Sequence, residues 1–180
     1  MKIYTKRGDN GITDLPGGRR LWKNDVHIEA LGDLDELVSI MGVVRALLPE
    51  GQTNLDEELR SVQVALVNIS AALSGPRKND CYDSTTSLET AIDSMEEGLP
   101  PLKSFILPGA QISASVTHVA RAVCRRAERR LVALLEAKSE TGEKVDEQPL
   151  AYLNRLSDYL FSLARHLNKL AGVADDDISL

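Results

Sequence analysis

The sequence predicts an all-α fold, an up-and-down bundle of five helices preceded by an irregular amino-terminal arm. Three observations carry this. Apolar residues recur at threes and fours in five separate segments, the spacing that gathers them on one helical face. Glycine and proline concentrate between those segments, where a chain must turn. Hydrophobic residues make up 43% of the chain but aromatics only 4%, so the core is aliphatic, as helix bundles usually are. One core of that size suits a single domain over residues 1–180.

The arm, residues 1–25, holds Gly8, Gly11, Gly17 and Gly18 with Pro16 and shows no helical period. The first helix is expected from Val26 to Leu48, where Ile28, Leu31, Leu34, Leu37, Val38, Met41 and Val44 keep one face and Pro49 with Gly51 ends it. The second begins at an Asn54 cap and carries Leu55, Leu59, Val62, Leu66, Ile69 and Leu73 to Gly75-Pro76. After a polar loop over 77–83, a shorter helix from Ser84 to Glu97 turns Leu88, Ile92 and Met95 inward. The apolar segment Phe105-Ile106-Leu107-Pro108-Gly109 is broken by a turn signal. The fourth helix, Ser113 to Ser139, contains no Gly or Pro, and its core stripe is Val116, Ala120, Val123, Ala127, Leu131 and Leu134. A charged connection over 141–148 leads to the fifth, which starts at Pro149 and ends around Gly172, so the bundle spans 26–172.

Charge narrows the function. Lys plus Arg number 21 against 27 Asp plus Glu, a net charge of −6, which argues against general nucleic-acid binding. A polyanionic ligand would need a local basic pocket within this acidic whole. Cys81 and Cys124 make neither a metal-ligand spacing nor a disulfide framework. With no secretory signal and no apolar run of bilayer length, the chain is expected in the cytoplasm, off the membrane. The tripeptide Arg7-Gly8-Asp9 and the acceptor pattern Asn68-Ile69-Ser70 are chance matches in that setting.

Four constellations could carry chemistry. On the fourth helix Arg121, Arg125, Glu128 and Arg129 fall within about a third of a turn, at about 100° per residue. Guanidiniums this close repel unless an anion or acidic partners neutralise them, so the face is either a solvated charge run or an anion site. In the arm, Thr5-Lys6-Arg7-Gly8-Asp9-Asn10-Gly11-Ile12-Thr13, then Lys23, combines glycines, hydroxyls and cations that suit phosphate oxygens. It lacks the spacing of a Walker A loop, and a plain polar terminus has a similar composition. Asp35-Glu36 either decorates a solvent face or, because Asp35 lies close to Leu34 and Leu37, needs a cationic partner. Asn154, in Tyr152-Leu153-Asn154-Arg155-Leu156-Ser157-Asp158, either binds a ligand or caps a neighbouring chain end. His27, His118 and His166 are scattered, and the absence of any Glu-x-x-His argues against a di-iron centre.

Taken in order, these blocks resemble one family. Thr5-Lys6-Arg7-Gly8-Asp9 through Thr13, Lys23, Glu29-Ala30-Leu31-Gly32-Asp33-Leu34-Asp35-Glu36-Leu37, Phe105 to Gly109, Ala120 to Arg129, and Tyr152 to Asp158 look like the ATP:cob(I)alamin (corrinoid) adenosyltransferases of the propanediol-utilisation type. The likeness runs from Ile3 to about Asn168. It implies a ferritin-like five-helix bundle assembled as a homotrimer, with active sites between subunits. It implies that Thr5, Lys6, Arg7, Gly8 and Thr13 wrap ATP and that Lys23 meets its phosphates. Arg125 contacts the triphosphate, with Arg126, Glu128, Arg129 and Asn154 around it. Asp35 pairs with Arg121 of the adjacent subunit, and Phe105 lies under the corrin. No side chain is implied as a metal ligand, Mg²⁺ being carried by the ATP phosphates. Implied partners are a cobalamin reductase and an adenosylcobalamin-dependent enzyme.

Such a reaction suits these residue types. Reduced cobalt is itself the nucleophile, so the protein positions the reactants and neutralises the leaving phosphates. The sequence departs from the family pattern at Arg7, where a small hydroxyl is usual, at Pro16 (an aromatic), at Asp33 (Thr) and at Ala110 (a second Gly). Arg7 either adds a phosphate contact or crowds the nucleotide. Asp33 adds negative charge beside Asp35.

Overall fold

In the computed structural model, which describes residues 2–75, 85–143 and 146–178, five helices and four short strands succeed one another. The order is β1 (Ile12–Asp14), β2 (Arg20–Trp22), α1 (Val26–Ala46), α2 (Thr53–Ser74), α3 (Thr85–Glu96), β3 (Phe105–Leu107), α4 (Ile112–Glu140), α5 (Gln148–Leu170) and β4 (Asp176–Ile178). Pro76, Cys81, the loop over 77–83 and Ser84 lie outside the described residues.

The helices lie where apolar spacing predicts them, and their ends follow from local chemistry. Asp25 caps α1 by accepting a hydrogen bond from the His27 amide at 2.9 Å. The expected Asn54 cap of α2 is corrected: the helix already runs at Thr53, and Gln52, which precedes it, makes no side-chain capping bond. The α5 helix opens at Gln148 with Pro149 just inside, where its missing N–H is harmless.

The α4 helix packs against both α1 and α5, α2 against α1, and α3 against α5. The core is mainly aliphatic, with Tyr152 and Tyr159 of α5 buried in it: Leu34, Leu37, Met41 and Val44 belong to one cluster with Leu59, Leu66, Ile69, Leu131, Leu153, Leu156, Leu160 and Leu163. Predicted stripe residues Ile28, Leu31 and Val116 are half-buried, while His27 and Ala30 lie in the interior. His27 earns its burial through a 2.7 Å hydrogen bond between Nε2 and the Leu73 carbonyl, which ties the start of α1 to the end of α2.

The arm is more ordered than its composition suggests. β1 and β2 form an antiparallel hairpin with Ile12 opposite Trp22 and Asp14 opposite Arg20. Gly11 takes a φ of +80°, which only glycine adopts without strain, against the Trp22 ring. Pro16 packs on the end of α2, where a Cβ at Gly75 would meet its carbonyl at 3.4 Å. The second ribbon was not predicted: β3 pairs antiparallel with β4, beyond the last helix, so that Phe105 opposes Ile178. Among the described residues no helix is long and apolar enough to cross a membrane.

Candidate active site

The α4 helix carries five arginines, and its geometry divides them. Arg121, Arg125 and Arg129 follow one another at four-residue steps and share a row. Arg126 and Arg130 each lie one position further on, about 100° round the helix, and face α1. There Arg126 Nε donates to Asp33 Oδ1 at 3.1 Å and its Nη2 bonds Glu36 Oε2. Arg130 pairs with Glu29 at 3.3 Å, and its Nε stands 3.8 Å from Asp33 Oδ2. Every carboxylate on that side of α1 is thereby spent on α4.

The other row finds no such partners. Among the described residues neither Arg121, Arg125 nor Arg129 makes an ion pair; Arg129 Nη1 donates only to the Arg125 carbonyl at 3.1 Å. Arg121 is half-buried, and its Nε is enclosed without an acceptor. Burial first, and then the neighbouring Arg125 charge, lower its proton affinity below the ordinary arginine value. Glu128, the carboxylate within this arc, accepts from Asn154 Nδ2 at 3.0 Å, joining α5 to α4. A row of like charges lacking counter-charge is electrostatically costly alone and is stabilised by an added anion.

Asp35 is exposed on α1, not drawn toward the buried stripe as its spacing suggested. It has no cationic partner among the described residues of its own chain. The arm contributes a second basic element. Thr13 and Lys23, with Ile28, Glu29, Gly32 and Asp33, line a depression of about 400 Å³. Gly8 lies against Lys23: a Cβ there would stand 3.5 Å from Nζ, an ordinary contact distance. Arg7 is held within the arm: its Nη2 donates to Asp14 Oδ1 at 3.1 Å, and Arg20 pairs with the same oxygen. No hydrogen bond or ion pair joins Thr5, Lys6, Arg7 or Gly8 to α4 among the described residues.

Phe105, on β3, is 69% exposed, as Tyr4 and Trp22 of the arm also largely are. The segment after it carries strain. Ala110 has a φ of +74° at the position where the family pattern has glycine, a conformation costing about 1 kcal/mol or more for a residue with a Cβ. His118 and Cys124 are interior residues of α4, and burial raises the Cys124 thiol well out of its reactive range. Among the described residues no three His, Cys, Asp or Glu side chains gather as a metal site.

One cluster escaped sequence reading. Arg165 of α5 is fully buried and bonds Asp175 at 2.8 Å, Glu96 at 3.3 Å and the Pro100 carbonyl at 2.6 Å. The available signal was its position among the apolar residues of α5, where a cation demands partners.

Comparison with known proteins gives a single direction. The sequence model of the cobalamin adenosyltransferase family matches residues 3–167. A corrinoid adenosyltransferase of Bacillus subtilis is 42% identical over 181 residues, covering 97% of this chain and 91% of that protein. The bovine corrinoid adenosyltransferase MMAB is 43% identical over 175 residues, with 92% and 70% covered. Among solved structures, a variant PduO-type ATP:corrinoid adenosyltransferase from Lactobacillus reuteri, complexed with cobalamin and ATP, superposes with a TM-score of 0.88 at 37% identity, covering 98% of this chain and 96% of that one.

Proposed function

The chain belongs to the cobalamin adenosyltransferase family, and from that membership we propose that it transfers the 5′-deoxyadenosyl group of ATP to the cobalt of a reduced corrinoid such as cob(I)alamin. The cobalt electron pair attacks the ribose C5′; the C5′–O bond breaks and triphosphate departs with its electrons. The products are adenosylcobalamin and triphosphate. No protein nucleophile or general base is required, because the cofactor-like substrate supplies the reactivity.

The observation that carries this reading is the uncompensated row Arg121, Arg125 and Arg129, flanked on the same helix by arginines that are neutralised. Such a row is preorganised for anions from outside the chain: Arg125 and Arg129 for the triphosphate, whose charge they meet as the leaving group separates, and Arg121 for a carboxylate of a neighbouring subunit. Arg125 is assigned to the triphosphate, with Glu128, Arg129 and Asn154 around it; Arg126, tied to Asp33 and Glu36, borders that site without carrying its charge. Thr5, Lys6, Arg7, Gly8 and Thr13 are assigned to the nucleotide, and Lys23 to its phosphates. Magnesium is assigned to the phosphate oxygens, no set of protein carboxylates being gathered for it among the described residues. Its charge on the triphosphate would ease departure of the leaving group.

We place the complete site between subunits of a homotrimer. Among the described residues of its own chain, Asp35 is exposed without a cation and Arg121 is half-enclosed without an anion. Each supplies what the other lacks, across an interface. Phe105 is assigned to the lower face of the corrin, where it excludes water and the benzimidazole base and so favours the four-coordinate cobalt that reduction needs. The chain works as one domain in the cytoplasm, with a cobalamin reductase upstream and an adenosylcobalamin-dependent enzyme downstream.

The test is direct. Purified protein, ATP with Mg²⁺ and chemically reduced cobalamin should yield a light-sensitive Co–C product and stoichiometric triphosphate. Tight corrinoid binding without turnover would make the chain a carrier instead, and a monomer in sedimentation would remove the shared pocket.

A further inference from the structure

Arg165 heads the fully buried side chains by volume among the described residues, and its side chain is 1% exposed. A charge so placed is tolerated only when its donors are filled. Its partners come from three places: Glu96 at the end of α3, the Pro100 carbonyl on the way to β3, and Asp175 beyond α5. Asp175 also accepts from Asn168 Nδ2 at 3.2 Å, and Asn168 Oδ1 accepts from the Gln111 amide at the head of α4. Glu96 is itself bonded by the Ser162 hydroxyl at 2.7 Å.

The two chain segments that Arg165 grips are the roots of the β3–β4 ribbon. Pro100 precedes Phe105 by five residues, and Asp175 directly precedes β4. Among the described residues the ribbon has three residues a side and no further strand, too little to hold its shape unaided. A side-chain bond also crosses it, Ser104 Oγ donating to Asp177 Oδ1 at 3.1 Å. Phe105 sits directly opposite Ile178 in that ribbon, with its ring largely exposed. Its direction is therefore set by β4, and β4 is set by Arg165 and Asp175.

We propose that Arg165 and Asp175 form a positioning pair which, through the β3–β4 ribbon, aims Phe105 at the lower corrin face, and so governs which corrinoids are turned over. This rests on the assignment of Phe105 given above. Corrinoids carrying a lower nucleotide base need that base displaced and depend on the pair; cobinamide, which lacks the base, does not.

The full-length protein tests this with Asp175→Asn, which keeps the shape and removes the charge, and with Ile178→Pro, which breaks the ribbon at its edge without touching the buried cluster. Both are compared with Phe105→Ala on cobalamin and on cobinamide. The expected result is a loss of roughly tenfold or more in kcat with cobalamin, under about twofold with cobinamide, and an unchanged KM for ATP. The four-coordinate fraction of bound cob(II)alamin, read from its absorption spectrum, should fall in parallel. If Asp175→Asn does not fold, Ile178→Pro decides. Equal losses on both corrinoids in the ribbon variants, or none, overturn the pair's role. If Phe105→Ala alone is cobalamin-selective, the Phe105 assignment stands and this proposal falls. If Phe105→Ala costs both corrinoids alike, the assignment itself fails, and the proposal with it.

Discussion

Two sets of arginines on one helix meet opposite fates. Arg126 and Arg130 are tied to Glu29, Asp33 and Glu36 across the α1–α4 seam, whereas Arg121, Arg125 and Arg129, one position away around the helix, meet no carboxylate among the described residues. Residue type is the same and burial is similar, so the difference lies in what the next helix offers. A neutralised arginine holds two helices together; an uncompensated one is available to an anion from outside. Function therefore belongs with the second set and stability with the first.

The sharpest way to break this division is Arg125→Ala. On it, kcat/KM for ATP should fall by about a hundredfold or more, as expected for one preorganised donor at a developing charge. The melting temperature should barely move, because an exposed side chain without an ion pair contributes little to the fold. A loss of activity matched by a loss of stability would contradict the division.

Arg126→Ala is the converse. It leaves Asp33, 15% exposed, and Glu36 without their principal cation. The pairs are partly solvent-screened, so the loss should be about 1 kcal/mol or less, a fall of roughly 2–4 °C in Tm for a chain of this size. Activity should change by no more than about fivefold. A hundredfold loss here, with Tm unchanged, would move Arg126 into the second set.

Asp33→Thr sharpens the comparison from the α1 side. Asp33 Oδ2 is buried without a hydrogen bond among the described residues, and Asp33 lines the depression together with Thr13 and Lys23. Removing its charge leaves that depression more positive, so KM for ATP should fall about two- to fivefold in steady-state assays. Stability should drop by under about 1 kcal/mol as Arg126 and Arg130 lose a shared partner. An unchanged KM would mean that the depression does not receive the nucleotide.

These contrasts also mark what was legible beforehand. The row of Arg121, Arg125 and Arg129 could be read from the helical repeat, since four-residue spacing needs no knowledge of the rest of the fold. That Arg126 is neutralised could not, because it depends on how α1 lies against α4, and Asp33 is 93 residues distant. The five helices were legible from spacing and breakers. The strands at Phe105–Leu107 and Asp176–Ile178 were not, because three residues are too few for an alternating pattern. Arg165 could have been flagged as a cation among leucines, but its acceptors lie 69 and 65 residues before it and 10 after it.

The smallest expected effect concerns His118, which stands one turn before Arg121 and so extends the uncompensated row toward the interior. Its ring meets Phe161 edge-on at 6.1 Å, and neither nitrogen has a hydrogen-bond partner among the described residues. Burial, and then the Arg121 charge, lower its proton affinity below the ordinary histidine value, while Asp175 opposes them. The unfolded chain therefore binds this proton more readily than the folded one. Stability from the neutral ring is fully present above about pH 6.5 and is lost as pH falls through the lower folded value. His27 and His166 are shifted in the same direction, chiefly by burial, and add to the trend. Urea unfolding at pH 7.5, 6.5 and 5.5 should show stability declining, and His118→Phe, which keeps an apolar ring of similar size, should flatten that decline without abolishing it. An unaltered slope in the variant would mean that protonation of His118 is tolerated in the fold, and that the positive charge of the row is compensated by something other than the histidine's neutrality.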